Sequence, residues 1–122
     1  MPTILLIEDE NAVADILHEE LSSHGFDVCR ACNGQEGLEK IRETKPHLVI
    51  LEILLPKIDG FQVLKEIKGD EDLRDVPVII LSNLTHEEDV TRGLALGAED
   101  FLVDKSEAGL TELIRCVKRV CA

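Results

Sequence analysis

Short apolar runs alternate with amphipathic stretches along the whole chain, and this alternation is the main structural signal. Residues 4–7, 28–31, 48–51, 78–81 and 101–103 read as five strands. Three of them, 4–7, 48–51 and 78–81, are unbroken apolar runs of four, the pattern of strands covered on both faces. Helical stripes lie between the runs. Val13, Ile16, Leu17 and Leu21 form the first, closed by Gly25 at a C′ position. Leu38 and Ile41 mark the second, with Asn33 as N-cap and Glu36 at N3. Phe61, Leu64 and Ile67 mark the third, capped by Asp59 with Gln62 at N3. Val90, Leu94 and Ala98 mark the fourth, and Thr85-His-Glu-Glu88 before it reads as a capping box. Leu110, Leu113, Ile114, Val117 and Cys121 give the clearest stripe. Strands alternating with helices imply βαβ units, right-handed crossovers and a parallel sheet, hence a doubly wound α/β domain over residues 1–122.

Composition narrows the function. A chain of 122 residues is one domain by length. A net charge of −12 repels nucleic-acid phosphates, so direct DNA or RNA contact is not expected. No apolar run approaches the roughly 20 residues of a membrane span. The N-terminus lacks a basic stretch and meets acidic residues early, unlike a signal peptide. A cytoplasmic protein with reduced cysteines is expected. Cys29 and Cys32 form a C-x-x-C that begins in a strand, so the two thiols should face opposite sides and neither chelate nor cycle redox. Cys116 and Cys121 read as packing or edge residues of the last helix.

Ligands of open parallel sheets bind beyond the carboxyl ends of the strands. Four strand ends here are polar: Glu8-Asp9, Glu52, Ser82-Asn83 and Asp104-Lys105. Carboxylates gathered at one edge repel, and a hard divalent ion such as Mg²⁺ relieves the repulsion. The alternative is that acidic residues merely end strands and cap helices. His18, His24, His47 and His86 read as surface residues, since no local His-Asp/Glu metal pattern surrounds them. Arg115, Lys118 and Arg119 either complement the dipole of the last helix or meet a partner.

At these motifs the chain resembles the receiver domains of two-component response regulators. The matching residues are Ile-Leu-Leu-Ile-Glu8-Asp9, Leu-Val-Ile-Leu-Glu52-x-x-x-Pro56-x-x-Asp59-Gly60, Val-Ile-Ile-Leu-Ser82 and Gly97-Ala-Glu-Asp-Phe101-Leu-Val. The resemblance implies a flavodoxin-like strand order 2-1-3-4-5, which general descriptions of this fold already illustrate with a chemotaxis receiver. It also implies phosphoryl transfer from a sensor histidine kinase or phosphotransfer protein to a carboxylate at position 52. By position, Glu8, Asp9, Glu52 and the backbone carbonyl of Leu54 would hold Mg²⁺. Ser82 would be the switch hydroxyl, and Phe101 the aromatic residue that reports to a downstream protein partner. A homodimer through the fourth helix, fifth strand and fifth helix is a further expectation of the resemblance.

Two departures bear on the chemistry. Position 52 is Glu where the family has the acceptor Asp. The extra methylene adds one bond of about 1.5 Å, and a misplacement of ~1 Å can cost ~100-fold. Glu52 is therefore expected not to form the normal acyl phosphate, leaving a degenerate or phosphomimetic domain, natural or engineered. The family's phosphate-pairing lysine aligns with Asp104, and Lys105 falls one residue late. On a regular strand Lys105 would face away, whereas a bulge would return it. The expected function is a stand-alone, non-enzymatic receiver. The alternatives are an interaction domain with a vestigial pocket and an Mg²⁺-dependent phosphotransfer enzyme, the latter without a Gly-rich phosphate loop.

Overall fold

The three unbroken apolar runs form the centre of the sheet. The computed structural model describes residues 2–84, 86–103 and 106–122. Its strands are β1 (Thr3–Ile7), β2 (Asp27–Ala31), β3 (Leu48–Leu51), β4 (Val78–Leu81) and β5 (Asp100–Leu102). All pairings are parallel, in the order β2-β1-β3-β4-β5. Every residue of β3 and β4 is buried, whereas the edge strands β2 and β5 are only partly covered. The helices are α1 (Asn11–Ser23), α2 (Gly34–Thr44), α3 (Gly60–Gly69), α4 (Glu87–Ala95) and α5 (Glu107–Val120). Among the described residues, no helix is long and apolar enough to cross a membrane.

Side-chain alternation along the central strands divides the core into two layers. Leu5, Ile7, Val49, Leu51 and Ile80 face α2 and α3, where they meet Leu38, Ile41, Phe61 and Leu64. Ile4, Leu6, Ile50 and Ile79 face α1 and α5, where they meet Leu17, Leu21, Leu113 and Val117. A fully buried side chain of this kind stabilises the fold by about 2 kcal/mol, so the sheet is held rigidly from both sides.

Caps fix where the helices begin. The Asn33 side chain accepts from the Glu36 amide at 2.8 Å, and that of Asp59 accepts from the Gln62 amide at 3.0 Å. Gly25 follows α1 with φ +89°, a left-handed conformation that glycine adopts without a Cβ penalty. The fourth helix departs from its sequence pattern. It begins at Glu87 with His86 at the N-cap and no side-chain cap, and Thr85 lies outside the described residues. It ends at Ala95, so Ala98 falls beyond it, and Leu94 is exposed rather than part of a buried stripe. Ile16 is also misassigned by periodicity: α1 buries Ala14, Leu17 and Leu21, which turns Ile16 outward. The fifth strand starts one residue early and leaves Val103 beyond its end, exposed.

The cysteines are free and differ in access. Cys29 packs against the first core layer, while Cys32 is exposed just past β2. Cys116 is buried, its Sγ 3.7 Å from Asp100 Oδ2 and 3.3 Å from Arg119 Nη2. Burial pushes the Cys116 thiol pKa up, and the Asp100 charge adds to the shift against Arg119. Since the thiolate is the nucleophile, alkylation at neutral pH should be fastest at Cys32 and slowest at Cys116. Site-resolved mass spectrometry of a labelling time course checks this order, and early loss of Cys116 would contradict it.

Candidate functional site at the carboxyl edge of the sheet

Glu8, Glu52 and Ser82 each follow the last residue of a central strand. Ile7 pairs with Leu51, so Glu8 and Glu52 leave adjacent strands at the same level. Backbone bonds prolong the sheet by one step: the Glu52 amide donates to Ile7 O at 3.0 Å, the Glu8 amide to Ala31 O at 3.1 Å, and the Ser82 amide to Leu102 O at 2.9 Å. All three side chains are buried, whereas Asp9 is exposed.

The Glu52 carboxylate folds back on the chain. Its Oε2 accepts from the Ile53 amide at 2.7 Å and the Leu54 amide at 3.4 Å. The following loop is tightly wound: the Gly60 amide donates to Ile53 O at 2.8 Å and the Ile58 amide to Pro56 O at 2.8 Å, with Lys57 at φ +68°. Gly60 is required by contact. A Cβ there would lie 2.4 Å from the Glu52 carbonyl oxygen and 2.6 Å from Ile53 Cα. Leu54 itself is exposed.

Glu8 is held by its backbone and by a partner that its own motif does not reveal. Arg30 donates from Nε and Nη2 to the Glu8 carbonyl at 3.2 and 2.9 Å, and from Nη1 to Asn11 Oδ1 at 2.9 Å. The signal for it was a lone arginine inside an otherwise apolar run. Glu8 Oε2 accepts from the Glu10 amide at 3.3 Å. Ser82 Oγ accepts from the Leu84 amide at 3.4 Å.

Away from the carboxylates, Phe101 is buried against α4. The position a Cβ would take on Gly93 is 2.8 Å from both Phe101 Cδ2 and Ile80 Cδ1, so only glycine lets the helix approach this closely. Arg92 stacks over the Phe61 ring with its Cζ 4.2 Å from the centroid, a cation–π contact joining α4 to α3.

Among the described residues, no three His, Cys, Asp or Glu side chains are gathered to hold an ion. Glu8 and Glu52 each have a carboxylate oxygen committed to backbone amides, and Asp9 stands exposed beside them. Asp104 and Lys105 lie outside the described residues.

The family model for the response regulator receiver domain matches residues 4–115. This chain belongs to that family. The receiver is 38% identical over 120 residues to the transcriptional regulatory protein AfsQ1 of Streptomyces coelicolor, covering 98% of this chain and 52% of that protein. The chain spans about half the length of the curated relatives it matches. Among solved structures, it is similar to the signal receiver domain of a histidine kinase from Syntrophus aciditrophicus, with a TM-score of 0.89, 34% identity and coverage of 99% and 90% of the two chains. It is also similar to the Mn²⁺-bound form of response regulator Rcp1, with a TM-score of 0.84, 26% identity and coverage of 97% and 92%. The receiver shares its flavodoxin-like strand order with these neighbours, and its relatives are signalling proteins.

Proposed function

We propose that this receiver signals through protein contacts without forming the normal acyl phosphate, and that Glu52 supplies a fixed negative charge at the acceptor position. The observation carrying this reading is the Glu52 carboxylate itself, buried and folded onto the Ile53 and Leu54 amides. An acceptor must present a free oxygen in line with the phosphoryl donor. A side chain one methylene too long, bonded to its own loop, is poorly placed to do so. Glu8, Asp9 and Ser82 occupy receiver positions at the neighbouring strand ends and Phe101 one against α4, which supports a modified receiver site over an enzyme site for small substrates. One carboxylate is a partial copy of a phosphoryl group, with less charge and fewer acceptor oxygens.

The partners that suit this reading are a histidine kinase or phosphotransfer protein at the pocket edge and a downstream protein at the face of α4, β5 and α5. That face, with Leu94 and Val103 exposed, also suits a homodimer. Direct nucleic-acid contact is not assigned to a domain of charge −12, and a cytoplasmic setting fits the free cysteines.

Magnesium provides the test of the pocket. Glu52 spends an oxygen on two amides, so Mg²⁺ should bind the parent at least about 10-fold more weakly than a Glu52→Asp variant. Titration by calorimetry or amide NMR measures both. Equal affinity in parent and variant would contradict the reading.

A further inference from the structure

Arg30 is a cation at a place where the fold does not call for one. It lies on the edge strand β2 between Cys29, which packs against the first core layer, and Ala31, which is fully buried there. Alternation sends its side chain to the opposite face. In register it sits beside Leu6, two residues before Glu8. Its guanidinium closes both ends of the β1–α1 loop. Nε and Nη2 donate to the Glu8 carbonyl at 3.2 and 2.9 Å, and Nη1 donates to Asn11 Oδ1 at 2.9 Å. Asp9 and Glu10 lie between these anchors. The Glu10 amide donates in turn to the Glu8 carboxylate at 3.3 Å, and the Glu10 carbonyl accepts from the Ala14 amide at 2.9 Å. Arg30 is itself held from α2, where Lys40 donates to its carbonyl and pairs with Glu36 at 3.1 Å. Two elements, β2 and α2, thus hold the loop that carries Glu8 and Asp9.

We propose that Arg30 is a positioning residue of the strand-end site, keeping Glu8 and Asp9 in place relative to position 52 by geometry rather than by charge; this deepens the reading of the pocket as a modified receiver site and rests on it. Glu8 and Glu52 leave adjacent strands at the same level, so a loop that drifts moves the acid pair relative to position 52. Phosphoryl transfer to a carboxylate there depends on such placement. A carbonyl oxygen accepts two bonds, and the planar guanidinium supplies both from one fixed fork with a further donor left for Asn11. Both acceptors are neutral, the Glu8 backbone carbonyl and the Asn11 amide oxygen, which is the pattern of a tie rather than an ion pair. A lysine keeps the charge but is a point donor on a flexible stem, so it cannot hold both anchors.

Amide hydrogen exchange of the intact chain, followed by NMR, reads the loop independently of position 52. Arg30→Lys and Arg30→Gln should each speed exchange at Glu10 and Ala14 by at least about 10-fold. Phosphorylation by acetyl phosphate with Mg²⁺, in the Glu52→Asp background, reads the site. In that step the shortened carboxylate bonds to phosphorus as the bond from phosphorus to the acetate oxygen breaks, and acetate leaves with the electron pair. Both Arg30 variants should slow it by at least about 10-fold, with circular dichroism showing each of them folded. Arg42→Lys is the control. Arg42 makes a similar clamp, on the Leu38 carbonyl and Asp70, and its loss should move neither readout. Parent-like exchange in both variants, parent-like behaviour of Arg30→Lys alone, an undiminished rate, or an equal effect of Arg42→Lys would each overturn the proposal. A Glu52→Asp chain that takes up no phosphoryl group would overturn the reading of position 52 instead, and hydrogen exchange would still decide the role of Arg30.

Discussion

Gly60→Ala should destabilise the domain by about 3 kcal/mol, at the top of the range for overpacking a tight site. The added methyl would sit 2.4 Å from the Glu52 carbonyl oxygen and 2.6 Å from Ile53 Cα. Both neighbours are backbone, and the Ile53 carbonyl is itself bonded to the Gly60 amide, so neither can move without opening the loop. Relief would have to come from displacing the start of α3, which also carries the buried Phe61, Val63 and Leu64. Gly69→Ala is the control. It lies at the other end of the same helix with nothing within 4 Å of a new Cβ, and should be neutral or stabilising by up to about 1 kcal/mol. Urea denaturation followed by circular dichroism reads both changes, since the chain has no Trp or Tyr. Equal stability of the two variants would mean that the loop geometry around Glu52 is not as tight as these contacts require.

Glu52→Asp should convert the domain into a phosphoacceptor, with a gain of at least about 100-fold in the rate of phosphorylation by a small-molecule donor. Shortening the side chain by one bond moves the carboxylate about 1.5 Å. Phosphoryl transfer depends mainly on positioning and charge stabilisation, so a shift of that size outweighs the nearly identical intrinsic reactivity of the two carboxylates. Glu8 and Asp9 follow the end of β1 and Ser82 follows the end of β4, where the proposed function puts the rest of the phosphoryl site.

The central strands were legible because residues 48–51 and 78–81 are apolar without interruption, and burial on both faces demands that. The caps at Asn33 and Asp59 were legible because the chemistry is local, between a side chain and an amide three residues on. Ile16 and Leu94 were not, since periodicity gives an apolar face but not how wide a strip the neighbouring elements cover. The ends of α4 and β5 were blurred for a related reason: a short edge strand and a short helix have little pattern to count. At the site, residue types and levels could be read from the strand ends, so Glu8 and Glu52 were expected side by side. The direction of the Glu52 carboxylate was not readable, because it follows from loop amides whose positions depend on Gly60 and the turn at Lys57. The clamp of Arg30 on the Glu8 carbonyl was equally hidden, as it joins neighbouring strands that lie 22 residues apart in sequence.

Intact-mass spectrometry after incubation with a small-molecule phosphodonor, with and without Mg²⁺, tests the central claim most directly when parent and Glu52→Asp are run side by side. The parent should remain unmodified, and the variant should gain one labile phosphoryl group. A phosphoryl adduct on the parent, mapped to Glu52 and formed at a rate close to that of the variant, would contradict the account.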